Sequence, residues 1–184
     1  MSDTEHATDH DGPPRAVLIA ALAVAVAAAV AVVVVAALHQ SQRAPVAIAT
    51  VPAPHATEAA CQTLLAALPD RLGDYQRARA VEPVPAGAAA WQAQAGTEPV
   101  ILRCGLDRPA EFVLGAPLQV VDAVSWLRVA DAGTDGRITW FAVDRPVYIA
   151  LTLPPGSGPT PIQELSEVIA KSLPAQPIAP GAPR

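Results

Sequence analysis

The chain has 184 residues, 52% of them apolar, with 20 prolines and a formal net charge of −5. Its basic residues form no run of Lys or Arg, which removes the usual electrostatic footprint of a nucleic-acid binder; no nucleic-acid partner is expected. Histidine, the commonest general base and metal ligand, occurs only at His6, His10, His39 and His55, all before the segment expected to fold, so most hydrolase triads lose their base and neither a metal nor a cofactor is expected.

Residues 1–15 are polar, acidic and without periodicity, and read as a cytoplasmic tail. Residues 16–38 are then apolar without interruption, with no charge, Pro or Gly. As a helix at ~1.5 Å per residue this stretch covers about 35 Å, enough to cross a hydrocarbon core of ~30 Å. A cleaved signal peptide is the alternative, with a small-residue site at Ala47-Ile48-Ala49. Signal peptides, however, carry positive charge before an apolar region of only ~7 to 15 residues. Here four acids and no Lys or Arg precede Arg15. A retained single-pass anchor in the lipid bilayer is the expectation. Arg15 and Arg43 flank the span almost symmetrically, so the positive-inside rule leaves its orientation open.

The remainder has the apolar content of a soluble domain, about 45%. Residues 39–56 read as an Ala/Pro linker holding the domain away from the bilayer. Residues 57–174 have the length of one folded unit, and residues 175–184 read as a disordered, proline-rich tail.

Within the folded unit, Thr57 is expected to cap a helix running through Leu68 and ended by Pro69. Strand-like segments follow at 76–81, 89–94, 100–104, 118–129 with a break, 137–143 and 147–153. The last alternates Val147, Ile149, Leu151 and Leu153 with Tyr148, Ala150 and Thr152, as a sheet with one buried face requires. Asp135-Gly136 favours a tight turn between paired strands. A closing helix is expected from Thr160 as cap, with Pro161 in its first turn and Gln163 completing a capping box. Its core face is Ile162, Leu165, Ile169 and Leu173. The predicted class is therefore α+β: an N-terminal transmembrane helix, then a small antiparallel sheet with two helices packed on one face.

Cys61 and Cys104 are the only cysteines. Cys61 shares a helical stripe with Leu64, Leu65 and Leu68, and Cys104 shares a strand face with Val100 and Leu102, so both point to the core. They can serve there as two small apolar residues or as one disulfide, and the bond is the expectation. It would persist only in an oxidising compartment, which would put the C-terminal domain outside the cytoplasm, at the plasma membrane.

The pattern Cys61, Leu64 to Pro69, Ala90-Trp91, Val100 to Gly105, Val124-Ser125-Trp126, Trp140 to Arg145 and Leu153-Pro154 resembles an uncharacterised actinobacterial family of membrane-anchored, two-cysteine envelope proteins, a domain of unknown function, over residues 16–174. Where the family pattern has Gly after its first tryptophan, this chain has Gln92, so a different turn is expected there. The resemblance implies an anchored envelope protein and no activity.

Chemistry-bearing residues are few. Trp91, Trp126 and Trp140, with Arg103 and Arg145, are the candidate ligand or partner surface; core filling is the plainer account of the tryptophans, and a strand-face ion pair that of Arg103. Asp70, Asp74, Asp107, Glu111, Asp122, Asp131, Asp135 and Asp144 fall mostly at turns, where Asp is favoured for backbone reasons. The expected function is a non-enzymatic accessory or interaction module of the cell envelope that presents the free face of its sheet to an envelope protein. The alternatives are a small anionic-ligand or glycan-binding domain and a carboxylate-dependent envelope hydrolase.

Overall fold

The computed structural model describes residues 15–41, 45–94, 96–130 and 136–183, in two units that divide after Gln42. The first is helix α1, Arg15–Ser41. From Ala16 to Ala36 every side chain is exposed and apolar, and 21 residues at ~1.5 Å each give about 32 Å, the length of a membrane span and also compatible with a signal sequence.

The second unit is an α+β domain, as expected. After helix α2 (Ala59–Ala67) come strands β1 (Arg71–Leu72), β2 (Tyr75–Ala78), β3 (Ala88–Gln92) and β4 (Val100–Leu106). Strands β5 (Leu118–Val121), β6 (Val124–Ala130), β7 (Ile138–Ala142) and β8 (Tyr148–Leu153) follow, and helix α3 (Thr160–Ser172) closes the domain. The sheet order is β1-β2-β3-β4-β8-β7-β6-β5, antiparallel throughout. Two four-stranded meanders are thus joined along β4 and β8, with Leu102 opposite Leu151 and Cys104 opposite Ile149.

Alternation sorts the strands' side chains between two faces. One face carries Trp91, Leu102, Trp126 and Leu151, which pack with Cys61 and Leu64 of α2 and Ile162, Leu165 and Ile169 of α3 in a single core. The disulfide Cys61–Cys104 is formed, with Cα atoms 5.7 Å apart, and ties α2 to β4 through that core. The expected break in the strand-like segment 118–129 falls at Asp122-Ala123, where Asp122 takes a positive φ of 51° and the chain turns back as the β5–β6 hairpin. The segments either side of Asp135-Gly136 pair as β6 and β7, although Asp135 itself lies outside the described residues.

Several expectations are corrected. Strand β1 was not anticipated: Leu72 is buried, and Gly73-Asp74 makes the two-residue connection to β2, with Gly73 at φ 55°. That Gly-Asp pair between two apolar-bearing segments was the available signal. Thr57 does not cap α2; Glu58 occupies the N-cap without a side-chain bond, and the Thr57 carbonyl accepts instead from Gln62 Nε2 at 2.9 Å. Thr160 is the first residue of α3 rather than its cap, and Pro159 precedes it. A capping box needs an N-cap N–H, which proline lacks, so Gln163 has no donor to receive.

The largest corrections concern the sheet's second face, which is covered at both ends. The supposed linker packs against it: Val46 and Ile48 are buried on Ala90 and Ile101. Main-chain bonds from Val46 N–H to the Arg79 carbonyl (2.8 Å) and from Val81 N–H to the Val46 carbonyl (2.9 Å) fix the segment. At the other end of the face, Phe112, Leu127 and Val143 form a third apolar cluster. The supposed disordered tail is held there, since Gly181 N–H donates to the Phe112 carbonyl at 2.8 Å and Leu114 N–H to that of Gly181 at 2.9 Å. Proline-rich chain lacks regular periodicity but keeps its carbonyls and most of its N–H groups, so it can dock on an exposed sheet without announcing itself.

Gly105 shows how closely these layers meet. It sits at an irregularity in the β4–β8 register with φ 86°, and its carbonyl accepts from His55 N–H at 3.0 Å. A Cβ there would lie 2.3 Å from the Ala56 nitrogen and 2.4 Å from the His55 carbonyl carbon. Both the dihedral and the space therefore require glycine.

Candidate functional site

The five side chains proposed as a ligand or partner surface do not converge. Trp91 and Trp126 have no exposed surface. Each satisfies its indole N–H internally, Trp91 Nε1 donating to the Pro69 carbonyl and Trp126 Nε1 to Ser166 Oγ, both at 2.9 Å. Ser166 Oγ in turn donates to the Ile162 carbonyl one turn back, at 2.7 Å. Both rings are core pillars, and neither is a binding platform. Arg77, which the sequence did not single out, stands opposite Trp91 across β2 and β3 with its guanidinium 4.8 Å from a Trp91 ring centroid. Burial lowers its pKa from the ordinary arginine value, and Asp70 works in the opposite direction.

Arg145 is likewise structural. It follows Asp144 in the β7–β8 connection and is buried, with Nη1 2.9 Å from Asp144 Oδ1 and also donating to the Asp144 carbonyl at 2.9 Å. Its Nη2 donates to the Ala123 carbonyl at 2.6 Å. Asp144 Oδ2 accepts from Ser125 N–H at 2.8 Å, and the Asp144 carbonyl accepts from Gln176 N–H at 2.8 Å. One buried ion pair thus fastens the β5–β6 turn, the β7–β8 turn and the C-terminal segment together. The expectation of a surface role for Arg145 is overturned because two backbone carbonyls lie beside it, that of its neighbour Asp144 and that of Ala123, 22 positions away.

Gln92 ends β3 and is buried, its Nε2 donating to the Thr97 carbonyl at 2.6 Å. The side chain thereby braces the following loop, the place where the family pattern has glycine.

Trp140 and Arg103 remain, on opposite faces of the sheet. Trp140 is half-buried beside an apolar groove of about 410 Å³, with Val121 and Ile138 on its floor and the Pro154–Pro159 loop as its wall. Arg103 lines a second groove, of about 430 Å³, on the face that the N-terminal and C-terminal segments cover only at its two ends. The floor of this groove is a lattice of cross-strand neighbours: Arg103 beside Ala150 beside Phe141, and in the next row Thr152 beside Thr139. The two threonine hydroxyls are 3.0 Å apart. Val51 and Pro52 border one side, and Leu106 with the exposed Asp107 the other.

The ion pair expected for Arg103 is not formed; among the described residues no carboxylate lies within 4.0 Å of it. Its Nη2 donates to the Ala49 carbonyl over 3.3 Å, and its buried Nε has no hydrogen-bond partner among the described residues. Desolvation lowers its pKa from the ordinary arginine value. Of the carboxylates, Asp144 is committed to Arg145 and Asp122 to a turn, while Asp131 and Asp135 lie outside the described residues. No group of three or more His, Cys, Asp or Glu suited to a metal occurs among the described residues.

Architecture and grooves together define a disulfide-bonded α+β domain with an eight-stranded antiparallel sheet, in a chain with a long apolar helix near its N-terminus. The chain belongs to the family described as Protein of unknown function (DUF3515), whose model matches residues 22–178. No curated protein and no solved structure matches it.

Proposed function

We propose that this protein is a single-pass, membrane-anchored accessory module of the cell envelope, with its domain outside the cytoplasm, and that it binds a partner without turning it over. The observation that carries the reading is the buried Cys61–Cys104 bond in a chain whose apolar helix is exposed along its whole described length. Such a bond is kept in an oxidising compartment and reduced in the cytosol. Retention of the helix is supported by Val46 and Ile48, since cleavage after Ala49 would strip two buried side chains from the domain.

Topology is tested by labelling intact cells with a membrane-impermeant maleimide. A cysteine replacing Glu167, whose side chain is 58% exposed on α3, should label directly. A cysteine replacing Ser2 should label only after permeabilisation. The reverse pattern would overturn the orientation.

The binding half of the proposal rests on β5. This edge strand, Leu118-Gln119-Val120-Val121, carries no charge, and Val120 is 70% exposed. Edges are normally blunted by charge or proline; the four residues of this one carry neither, and no described strand pairs with its outer side. Val121 and Val124 close the two-residue turn, so ladder alternation directs the main-chain groups of Val120 outward. The fitting occupant is an extended segment of an envelope protein added as a further strand, its alternate side chains reaching the Trp140 groove that Gln119 and Val121 also line. Val120→Pro should remove the outward donor without breaking a β5–β6 bond. Crosslinking at β5 in native membranes should then lose its defined product while the thermal midpoint stays within about 2 °C. An unchanged product would count against docking at this edge.

A further inference from the structure

We propose that the Arg103 groove binds a monocarboxylate bearing an apolar chain, with the carboxylate on Arg103 and the chain along Ala150 and Phe141. Three observations carry this. A half-buried guanidinium without a carboxylate partner among the described residues is an uncompensated charge, and burial makes such a charge costly unless an anion meets it. Its Nε makes no hydrogen bond to those residues, and the carbonyl on Nη2 is distant at 3.3 Å. Nε has no accessible surface, so a carboxylate meets the guanidinium at its outer Nη groups, of which only Nη2 bonds a described residue, and over a long distance.

The second observation is the threonine pair. Two hydroxyls 3.0 Å apart share one hydrogen bond, in which one donates and the other accepts, so the acceptor's own hydrogen is free to donate into the groove. The third is the body of the site. Ala150, Phe141, Val51, Pro52 and Leu106 offer apolar contact, and about 430 Å³ falls within the usual range of small-ligand sites. Asp107 stands exposed at the border and sets the preferred charge: it repels a dianionic phosphate more than a monoanion.

The test uses the full chain in nanodiscs of zwitterionic lipid, with the methyl groups of alanine and threonine isotopically labelled, titrated with hexanoate and with hexanamide. Hexanoate should shift the Ala150, Thr139 and Thr152 methyl resonances saturably and bind roughly tenfold more tightly than hexanamide, the difference expected of a charge-assisted hydrogen-bonded pair. In Arg103→Gln the hexanoate preference should vanish while hexanamide still binds, which also shows that the groove is intact. Arg103→Lys keeps the charge but loses the planar fork, and should fall between. The proposal is overturned if hexanoate gives no saturable shift at these methyls, or if the wild-type chain binds acid and amide equally. Neither result depends on how the variants fold or on which side of the membrane the domain lies, so the test is separate from those of topology and partner docking.

Discussion

Replacing Cys61 and Cys104 together by alanine should cost the domain about 4 kcal/mol, the chain-entropy value for a cross-link closing a loop of this length. The bond spans 43 positions and joins the first helix of the domain to a central strand, so without it α2 relies on packing alone to return to the sheet. That packing is modest, since only Cys61 and Leu64 of the nine-residue helix are fully buried. Against a total stability of 5–15 kcal/mol for an ordinary domain, the loss is a large fraction. With a urea slope near 2 kcal/mol/M, the unfolding midpoint should fall by about 2 M. Reduction of the wild-type chain should reproduce the shift. Coincident unfolding curves for oxidised and reduced protein would remove the structural role assigned to the bond, and with it the main argument for an extracytoplasmic domain.

Asp144→Ala should be comparably damaging, at about 4 kcal/mol, because removing one member of a buried ion pair strands the other. Arg145 Nη1 lies 2.9 Å from Asp144 Oδ1, and the arginine side chain is only 2% exposed, so water cannot take over from the lost carboxylate. The substitution also deprives Ser125 N–H of its acceptor at the start of β6. The double variant Asp144→Ala with Arg145→Met should be less destabilised than Asp144→Ala alone, since the methionine removes the stranded charge and keeps most of the apolar stem. Urea unfolding of the two single variants and the double variant gives the coupling directly. Additive losses would mean that the pair does not act as one unit.

Both residues lie in a Pro-bounded turn, Asp144-Arg145-Pro146, that reads in the sequence as a surface connection. Local pattern was informative where an element meets apolar surroundings on one side. The alternation of Ile149, Leu151 and Leu153 and the stripe Ile162, Leu165, Ile169 each pointed to the core that the structure contains. The same reasoning placed Cys61 and Cys104 on facing surfaces, and the bond followed.

Periodicity says which way a side chain faces, but not what waits opposite. Trp91 and Trp126 therefore stayed open between core filling and a binding surface, and Arg145 read as a surface candidate, until Pro69, Ser166 and Ala123 supplied their partners from 22, 40 and 22 positions away. The Ala/Pro segment before the domain and the proline-rich segment after it were the least legible parts. Their docking depends on the bare second face of a sheet assembled from two distant meanders.

The amino-acid order by itself determined the long apolar helix, the α+β class, most strands and the inward direction of the two cysteines, because each follows from a repeat in hydrophobicity or from residue chemistry alone. Only the tertiary structure decided that β4 lies beside β8, that both flanking segments close over the sheet, and that Arg103 rather than Arg145 is left without a counter-charge among the described residues. Those outcomes depend on pairings between residues far apart in the chain, which no local pattern encodes.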